Sequence, residues 1–230
     1  MEPGQYQRNH KAISRQEQLI LANKRVLVAG CGGLGGYVIE NLGRIGVGHL
    51  RLVDGDVFEE SNLNRQLLSS HMNLGRPKAL AAKQRLQAVN PNIEVEDFQT
   101  RINAENASQL LQGCDLVVDC LDNVSSRKVL QSACEEAGLA LVHGAVAGWR
   151  GQVAVIMPGK RLLDKLYPSQ TAERGEEASQ GTLSFTAATI GSIQASLVIQ
   201  QLLYPRDWGT EVLLIDLKEL IFQTFTLDER

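Results

Sequence analysis

The sequence feature that most constrains the fold is a glycine-rich turn, Gly30–Gly35 (GCGGLG), between a strand and a helix. The β-branched run Arg25–Gly30 predicts a buried strand, and Leu34–Ile45 predicts the helix that follows it. Glycines at this junction permit a tight turn and let phosphate oxygens approach the backbone N–H groups at the helix N-terminus. The turn predicts a nucleotide site without distinguishing NAD from ATP. Its predicted binding residues are Gly30, Gly32, Gly33 and Gly35.

Short apolar runs alternate with helical segments through the first part of the chain. This alternation is typical of βαβ units, which give a parallel sheet covered by helices on both faces. Right-handed crossovers leave few arrangements other than a doubly wound, Rossmann-like α/β fold. The predicted strands are His49–Asp54, Asn92–Phe98, Asp115–Leu121 and Ala140–Gly144, and the predicted helices are Arg76–Val89, Ala104–Gln112 and Ser126–Ala137.

The second part of the chain has a different pattern. Trp149–Met157 predicts a strand with no room for a crossover helix before it, and Glu211–Leu227 predicts two strands that turn near Leu217–Glu219. We expect these antiparallel C-terminal strands to extend the mainly parallel sheet. A long helix is predicted at Ser184–Leu203. The polar segment 158–181 before that helix is predicted to be a mobile crossover loop.

Composition limits the class of protein. The 230 residues carry 23 basic and 26 acidic side chains, a net charge of −3, so no basic excess indicates binding to nucleic acid or to a membrane surface. The polar N-terminus lacks the apolar core of a signal peptide, and no apolar run approaches the ~20 residues that span a bilayer. We expect a cytoplasmic protein with an N-terminal helical arm, residues 1–24, and a single nucleotide-binding domain, residues 25–230.

Cysteines and histidines form no obvious catalytic group. The four cysteines follow no C-x-x-C spacing, which favours buried thiols in a reducing compartment over disulfides or zinc. His143, at the end of a predicted strand, is interpreted as structural. The role of Arg150, beside Trp149, stays open between a contact to an acceptor and an ordinary stacked surface pair.

Acidic residues follow two of the predicted strands. Asp54 closes the second strand, 19 residues after Gly35, at a position suited to a ribose hydroxyl. Asp122 follows the fourth strand, and ligands of open α/β sheets bind outside the carboxyl ends of the strands. A carboxylate there suits Mg²⁺, which takes one or two carboxylates together with phosphate oxygens and water. Asn123 or Ser125 is expected to cap the next helix.

Two cations follow Asp54 at short range, in the segments SNLNRQ and GRPK. A dinucleotide seldom needs them, because its pyrophosphate already lies on the helix N-terminus. A triphosphate carries about four negative charges, and the departure of pyrophosphate requires stabilisation of the leaving oxygens. Arg65 offers a fork that binds phosphate, and Lys78 offers a point charge. The amide of Asn62 is suited to the polyphosphate or to an incoming carboxylate, so the set favours ATP.

An ordered series of segments resembles the ThiF/MoeB/HesA family, bacterial relatives of the ubiquitin-activating enzymes. The resemblance covers roughly residues 10–157, and the helix from Ser184 is similar to a later helix of the family. SNLNRQ followed at short range by GRPK is far more selective than the glycine turn alone. The matching segments are SRQ (from Ser14), GCGGLG, VDGD, SNLNRQ, GRPK, DCLDN and HGAVAGWRGQ.

The resemblance implies an ATP- and Mg²⁺-dependent adenylyltransferase. In this reaction ATP and the C-terminal Gly-Gly of a ThiS- or MoaD-like, ubiquitin-like sulfur carrier give an acyl-adenylate and pyrophosphate. It also implies a homodimer, in which Arg15 enters the neighbouring subunit's site much as an arginine finger does. Carried over by motif, the catalytic residues are Asn62, Arg65, Lys78 and Asp122 with Arg15 in trans, Asp122 holds Mg²⁺, and the nucleotide is bound by Gly30, Gly32, Gly33, Gly35, Asp54, Asp56 and Gln66.

The sequence departs from the family at its cysteines, which leaves several functions open. Many members bind structural zinc through two C-x-x-C pairs, and some carry a nucleophilic cysteine in the crossover loop. Residues 157–181 and 203–230 contain no cysteine, so we expect neither feature. The acceptor stays open between a sulfur carrier of thiamine or molybdopterin synthesis and a small carboxylic acid of cofactor or natural-product synthesis. An NAD-dependent oxidoreductase and a non-enzymatic partner subunit are the alternatives outside this reaction.

Overall fold

Eight strands form one sheet in the computed structural model, which describes residues 4–168 and 180–227. The strands are β1 (Arg25–Ala29), β2 (His49–Val53), β3 (Glu94–Phe98), β4 (Leu116–Asp119), β5 (Leu141–Ala147), β6 (Arg150–Ile156), β7 (Glu211–Asp216) and β8 (Ile221–Thr226). The α-helices described are α1 (Arg15–Ala22), α2 (Gly33–Ile45), α3 (Lys78–Val89), α4 (Ala107–Leu111), α5 (Val124–Ala137), α6 (Leu162–Leu166) and α7 (Ser184–Leu203). Short 3-10 turns lie at Gly4–Tyr6, Glu60–Asn62 and His71–Asn73.

The sheet order is β3-β2-β1-β4-β5-β6-β7-β8. Strands β1 to β5 pair in parallel, and β6, β7 and β8 continue the sheet in antiparallel pairing. The strand order reverses between β1 and β4, which is where a doubly wound sheet opens a crevice for a ligand. The predicted α/β fold, including its antiparallel C-terminal extension, is confirmed.

Alternate residues of β1 supply the hydrophobic cores on the two faces of the sheet. Val26 and Val28 pack with residues of α2, α3 and α7, whereas Leu27 and Ala29 pack with residues of α4, α5 and α6. Successive side chains of a strand point to opposite faces, so an uninterrupted apolar run is buried on both sides. The run Arg25–Gly30 therefore places the glycine turn at the end of a strand that is held rigidly from both faces.

Several element boundaries differ by a few residues from the sequence prediction, and two of the differences have clear local reasons. Helix α3 begins at Lys78 because Arg76 precedes a proline, which disfavours helical backbone. Strand β5 continues to Ala147 because it pairs with β6 along its whole length. The first of these differences matters for the site, since it makes Lys78 the first residue of a helix.

The N-terminal arm is packed on the rest of the protein. The side chain of Tyr6 is buried, and its hydroxyl accepts a hydrogen bond from Asn90 Nδ2 at 2.7 Å. Ser14 caps α1 reciprocally: its hydroxyl accepts from the N–H of Glu17, and the Glu17 carboxylate accepts from the N–H of Ser14. This capping box explains why the helix begins at Arg15.

The segment 158–181, predicted as a loop, contains the short helix α6. Leu162 and Leu163 are fully buried in the same core as α5, which accounts for the helix. Residues 169–179 lie outside the described part of the chain, so the mobility of the segment stays a prediction. No helix within residues 4–168 and 180–227 combines the length and the apolar character needed to cross a bilayer.

Candidate active site

A cavity of about 1030 Å³ opens at the carboxyl ends of β1, β2 and β4. Ligands of open α/β sheets bind at this edge, and pockets for small ligands span about 300–1000 Å³, so the volume suffices for a nucleotide. Three predicted site residues in the described part of the chain, Gly35, Asn62 and Arg15, do not line it. The predicted residues that do line it are Gly30, Gly32, Gly33, Asp54, Asp56, Arg65, Gln66, Lys78 and Asp122.

The glycine turn requires glycine at two positions for different reasons. Gly30 has a φ of 94°, and a Cβ there would lie 2.6 Å from the carbonyl oxygen of Cys120. A Cβ on Gly35 would overlap the carbonyl oxygen of Gly30, so Gly35 shapes the turn instead of lining the cavity. Helix α2 begins at Gly33 with no side-chain cap, which leaves the N–H groups of its first turn available to an anion.

Asp54 ties the glycine turn to the end of β2. Its Oδ2 accepts the N–H of Cys31 at 2.7 Å, and its Oδ1 accepts the N–H of Asp56 at 2.8 Å. Burial raises the pKa of Asp54, and these two hydrogen bonds oppose that rise. A carboxylate oxygen can accept more than one hydrogen bond and Asp54 lines the cavity, so a ribose hydroxyl stays the predicted ligand.

Lys78 and Arg101 share one carboxylate at the cavity wall. Lys78 is 7% exposed and begins α3, where the helix dipole disfavours a cation. Its Nζ lies 3.6 Å from Asp56 Oδ2, and Arg101 Nη2 lies 2.9 Å from Asp56 Oδ1. Two cations with one carboxylate between them give this wall a positive charge, which suits a polyanionic ligand.

Arg101 is a lining residue that the sequence motifs do not indicate. Its hydrogen bond to Asp56 raises the pKa of the guanidinium. A sequence signal was present, because Arg101 follows β3 and therefore lies at the same edge of the parallel sheet as Asp54 and Asp122. The edge rule that selects the two aspartates also selects this arginine.

The segment after β2 presents Arg65 and Gln66 to the cavity. Arg65 Nη1 donates to the carbonyl of Ser61 at 2.9 Å, which fixes the guanidinium near the cavity wall. Gln66 is 7% exposed, and its Oε1 has no hydrogen-bond partner among the described residues. A buried polar atom without a partner is unusual in a native protein, and a ligand or water that donates to it would remove the deficit.

Asn62 is placed differently from the prediction. Its side chain is 6% exposed, and its Oδ1 accepts the N–H of Glu59 at 3.0 Å. Its carbonyl accepts the N–H groups of Arg65 and Gln66 at 3.1 and 3.0 Å. Asn62 therefore shapes the turn that presents Arg65 and Gln66 and does not itself line the cavity, so its contact with polyphosphate or an incoming carboxylate stays a prediction.

Asp122 lines the cavity between two fixed neighbours. The N–H of Leu121 donates to Asp119 Oδ1 at 3.0 Å, and Asn123 Oδ1 caps α5 by accepting the N–H of Ser126 at 2.8 Å. The predicted cap at Asn123 is confirmed. The described residues contain no group of three or more His, Cys, Asp or Glu that could hold a metal. A single carboxylate beside a phosphate site suits Mg²⁺, which completes its shell with phosphate oxygens and water.

A buried pair, Asp119 and His143, lies behind Asp122. Both side chains are 0% exposed, and His143 Nδ1 lies 2.7 Å from Asp119 Oδ2. Burial lowers the pKa of His143, although the hydrogen bond to Asp119 opposes the shift. The neutral imidazole therefore donates from Nδ1 to the carboxylate and accepts at Nε2. This arrangement agrees with the structural role predicted for His143.

We predict that His143 makes the protein less stable in mild acid. Its pKa is lower in the folded than in the unfolded state, so the unfolded state binds more protons once the pH falls through about 6.5. The free energy of unfolding should then decrease by up to about 1.4 kcal/mol per pH unit. Urea unfolding between pH 8 and pH 5 measures this slope.

The control compares two histidine substitutions. His143→Asn should flatten the slope below pH 6.5, whereas His71→Asn, at an exposed histidine of the turn His71–Asn73, should leave it unchanged. Equal slopes for the wild type and His143→Asn would show that another group controls the acid sensitivity.

Arg15 and Arg150 both lie outside the cavity lining. Arg15 is exposed at the start of α1. Arg150 Nε lies 2.7 Å from Asp216 Oδ2, which joins β6 to β7 on the surface. The structure therefore places Arg150 in a surface ion pair with Asp216, while the Trp149 ring packs against Phe185. The role of Arg150 toward an acceptor stays a prediction.

The cysteines are thiols with no sign of activation. Burial raises the pKa of Cys31, Cys114, Cys120 and Cys134. A catalytic cysteine requires a lowered pKa, because the thiolate is the nucleophile. These four residues are all the cysteines of the chain, so none of them is poised to attack an acyl group.

Comparison with known proteins gives a consistent result. Residues 6–230 match the ThiF family. The chain is 36% identical over 211 residues to the SAMP-activating enzyme E1 of Haloferax volcanii, which covers 89% of this chain and 77% of that protein. It is 37% identical over 223 residues to the sulfur carrier protein adenylyltransferase of Thermus thermophilus. That alignment covers 92% of this chain and 81% of the relative. Its fold is similar to that of E. coli MccB in a crystal structure with succinimide, with a TM-score of 0.82 and 21% sequence identity. The superposition covers 98% of this chain and 72% of the MccB chain.

The fold and the cavity together define an α/β protein of the class that binds nucleotides at the carboxyl edge of its sheet. The match over nearly the whole length shows that the chain belongs to the ThiF family, as its motifs predict. The chain is an adenylyltransferase of this type. Neither of the two sequence relatives is named as an oxidoreductase, and nothing in the comparisons supports that alternative.

Proposed function

We propose that this protein uses ATP to adenylate the C-terminal Gly-Gly carboxylate of a ubiquitin-like sulfur carrier, with release of pyrophosphate. One observation carries the proposal: Arg65, Lys78 and Asp122 come from separate segments of the sequence and line one cavity together with the glycine turn. Two cations, a carboxylate for Mg²⁺ and a helix N-terminus are what the polyanion of a nucleoside triphosphate requires.

The proposed step needs no covalent intermediate on the protein. An oxygen of the acceptor carboxylate attacks the α-phosphorus of ATP, the bond to the bridging oxygen breaks, and pyrophosphate leaves with the electron pair. Lys78 and Arg65 stabilise the negative charge that grows on the leaving group. Mg²⁺, held by Asp122, would neutralise more of that charge. The remaining task is to hold the attacking oxygen in line with the leaving group.

The other lining residues are proposed to hold the nucleotide. The N–H groups at Gly32 and Gly33 would bind phosphate oxygens, because α2 begins there without a side-chain cap. Asp54 would bind the ribose through its carboxylate oxygens. Asp56 would orient the ammonium of Lys78, since it lies 3.6 Å away.

The names of two relatives support a protein acceptor. One is a sulfur carrier protein adenylyltransferase, and the other is an E1 that activates SAMP. We also propose a homodimer in which Arg15 supplies positive charge to the partner's cavity. Arg15 is exposed and does not line the cavity of its own chain, which supports a role in trans. Four free thiols, three of them buried, support a reducing, cytoplasmic location.

Exchange of labelled pyrophosphate into ATP tests the proposal. Exchange should require Mg²⁺ and an intact carrier that ends in Gly-Gly, and a carrier without its last two residues should support none. A carrier with one added alanine keeps a terminal carboxylate but displaces it by about 3.5 Å, and it should also fail. Exchange with a small carboxylic acid in place of the carrier would assign a different acceptor. No exchange with either class would contradict adenylation.

A further inference from the structure

Tyr167 directly follows α6 in the crossover segment, and its side chain reaches the region of the site. Helix α6 is fixed in place by the buried side chains of Leu162 and Leu163 and by the N–H of Leu163, which donates to Gln131 Oε1 at 2.8 Å. Its C-terminal end therefore has a defined position against α5. The position of the Tyr167 phenol follows from that packing.

The hydroxyl of Tyr167 joins three elements of the fold. It accepts hydrogen bonds from Arg127 Nη1 at 3.2 Å and from Gln152 Nε2 at 2.8 Å. It lies 3.3 Å from His143 Nε2, which is the accepting nitrogen of the neutral ring. The hydroxyl can therefore accept from Arg127 and Gln152 and donate to His143.

Arg127 connects the Tyr167 hydroxyl to the backbone at the cavity wall. Its side chain is 3% exposed, and its Nε lies 3.7 Å from Asp119 Oδ2 and donates to the carbonyl of Leu121 at 3.1 Å. Its Nη2 donates to the same carbonyl. The carbonyl of Leu121 belongs to the peptide bond that joins it to Asp122, so Arg127 fixes the backbone directly before the carboxylate at the cavity wall.

We propose that Tyr167 is a positioning residue for Asp122. Its phenol holds the guanidinium of Arg127 in the orientation in which two N–H groups grip the Leu121 carbonyl. Through this contact the crossover segment would fix the orientation of the Asp122 carboxylate toward a bound Mg²⁺. The inference depends on the metal-holding role proposed for Asp122 and does not depend on the identity of the acceptor.

Without the hydroxyl, the ring still stacks near Arg127, whose guanidinium carbon lies 5.7 Å from the ring centroid. Arg127 would then lose one acceptor and His143 Nε2 one donor, while the glycine turn and Lys78 keep their contacts. A substitution at Tyr167 should therefore affect the metal-dependent part of nucleotide binding and leave the metal-independent part intact. A purely structural role would weaken both parts or neither.

Isothermal titration of ATP, in EDTA and in saturating Mg²⁺, separates these two parts without measuring turnover. For Tyr167→Phe, the affinity for ATP in EDTA should equal that of the wild type. The Mg²⁺ gain, which is the factor by which Mg²⁺ raises the affinity for ATP, should be about 3- to 10-fold smaller, as expected for one lost hydrogen bond. Tyr37→Phe is the matched control, because Tyr37 packs in α2 near Gly191 and does not line the cavity. It should retain the full gain.

Three results would overturn the inference: an unchanged Mg²⁺ gain in Tyr167→Phe, an equal loss of affinity with and without Mg²⁺, or no Mg²⁺ gain in the wild type. Should Tyr167→Phe fail to fold, Gln152→Met removes another hydrogen bond to the same phenol and should reduce the gain in the same direction. Carrier-dependent exchange distinguishes the two proposals. A wild type that shows the Mg²⁺ gain but no exchange with any carrier retains the positioning role and loses the proposed acceptor.

Discussion

Replacing Lys78 by methionine should lower the rate of carrier-dependent pyrophosphate exchange by about 10²- to 10³-fold, the usual effect of removing one preorganised electrostatic group. Lys78 is a nearly buried cation at the start of a helix, where the helix dipole opposes it. Its single described carboxylate partner, Asp56, lies 3.6 Å away and also pairs with Arg101. In the proposed reaction, the negative charge that completes this site is that of the leaving pyrophosphate.

Lys83→Met is the matched control for this substitution. Lys83 lies on the same helix, but its Nζ pairs with Asp97 Oδ1 at 2.7 Å and it does not line the cavity. The control should exchange pyrophosphate at the wild-type rate. A loss of less than about fivefold in Lys78→Met, in a protein with an unchanged unfolding curve, would remove Lys78 from the catalytic set.

Gly35→Ala should destabilise the fold by about 3 kcal/mol, at the upper end of the effects of overpacking. The added Cβ would overlap the carbonyl oxygen of Gly30, which is backbone and cannot rotate away. Gly30 is itself held, because its N–H donates to the carbonyl of Val53 at 2.8 Å. Urea unfolding of the two proteins measures the difference directly.

Gly33→Ala is the matched control, since it makes the same change in the same helix. A Cβ on Gly33 meets its nearest neighbour, the Cβ of Ala187, at 3.8 Å, which is ordinary contact. This variant should be as stable as the wild type, or more stable by up to about 1 kcal/mol, because alanine is the better helix former. Equal stability of the two variants would show that the turn relaxes to accept a side chain at position 35.

The sequence located most of the cavity because it fixes the carboxyl ends of the strands. Asp54 and Asp122 were predictable because each directly follows an apolar run that reads as a buried parallel strand. Arg101 obeys the same rule and was missed, since the run before it, Glu94–Phe98, alternates charged and apolar residues and gives a weaker signal. Known motifs therefore indicate fewer lining residues than the sheet edge itself provides.

Asn62 shows the limit of sequence reasoning within a correctly located segment. The segment SNLNRQ does reach the cavity, but Asn62 ends a 3-10 turn whereas Arg65 and Gln66 follow that turn, so their side chains point in different directions. Arg65 and Gln66 face the cavity, whereas the amide of Asn62 turns back to accept the N–H of Glu59. The sequence motif predicted that all three lie at the site, and only the turn geometry separates them.

The sequence by itself determined the elements that depend on neighbours in the chain. These are the strands, whose side chains alternate between the two faces of the sheet, the glycine turn, and the capped helices. All of them follow from local backbone sterics and hydrogen bonding. The tertiary structure alone decided the contacts between residues far apart in the chain. The phenol of Tyr167 meets Arg127 and His143 only because α6 packs on α5 and β5 lies beside β4. Such contacts depend on how separate elements pack, and no local pattern of residues encodes that packing.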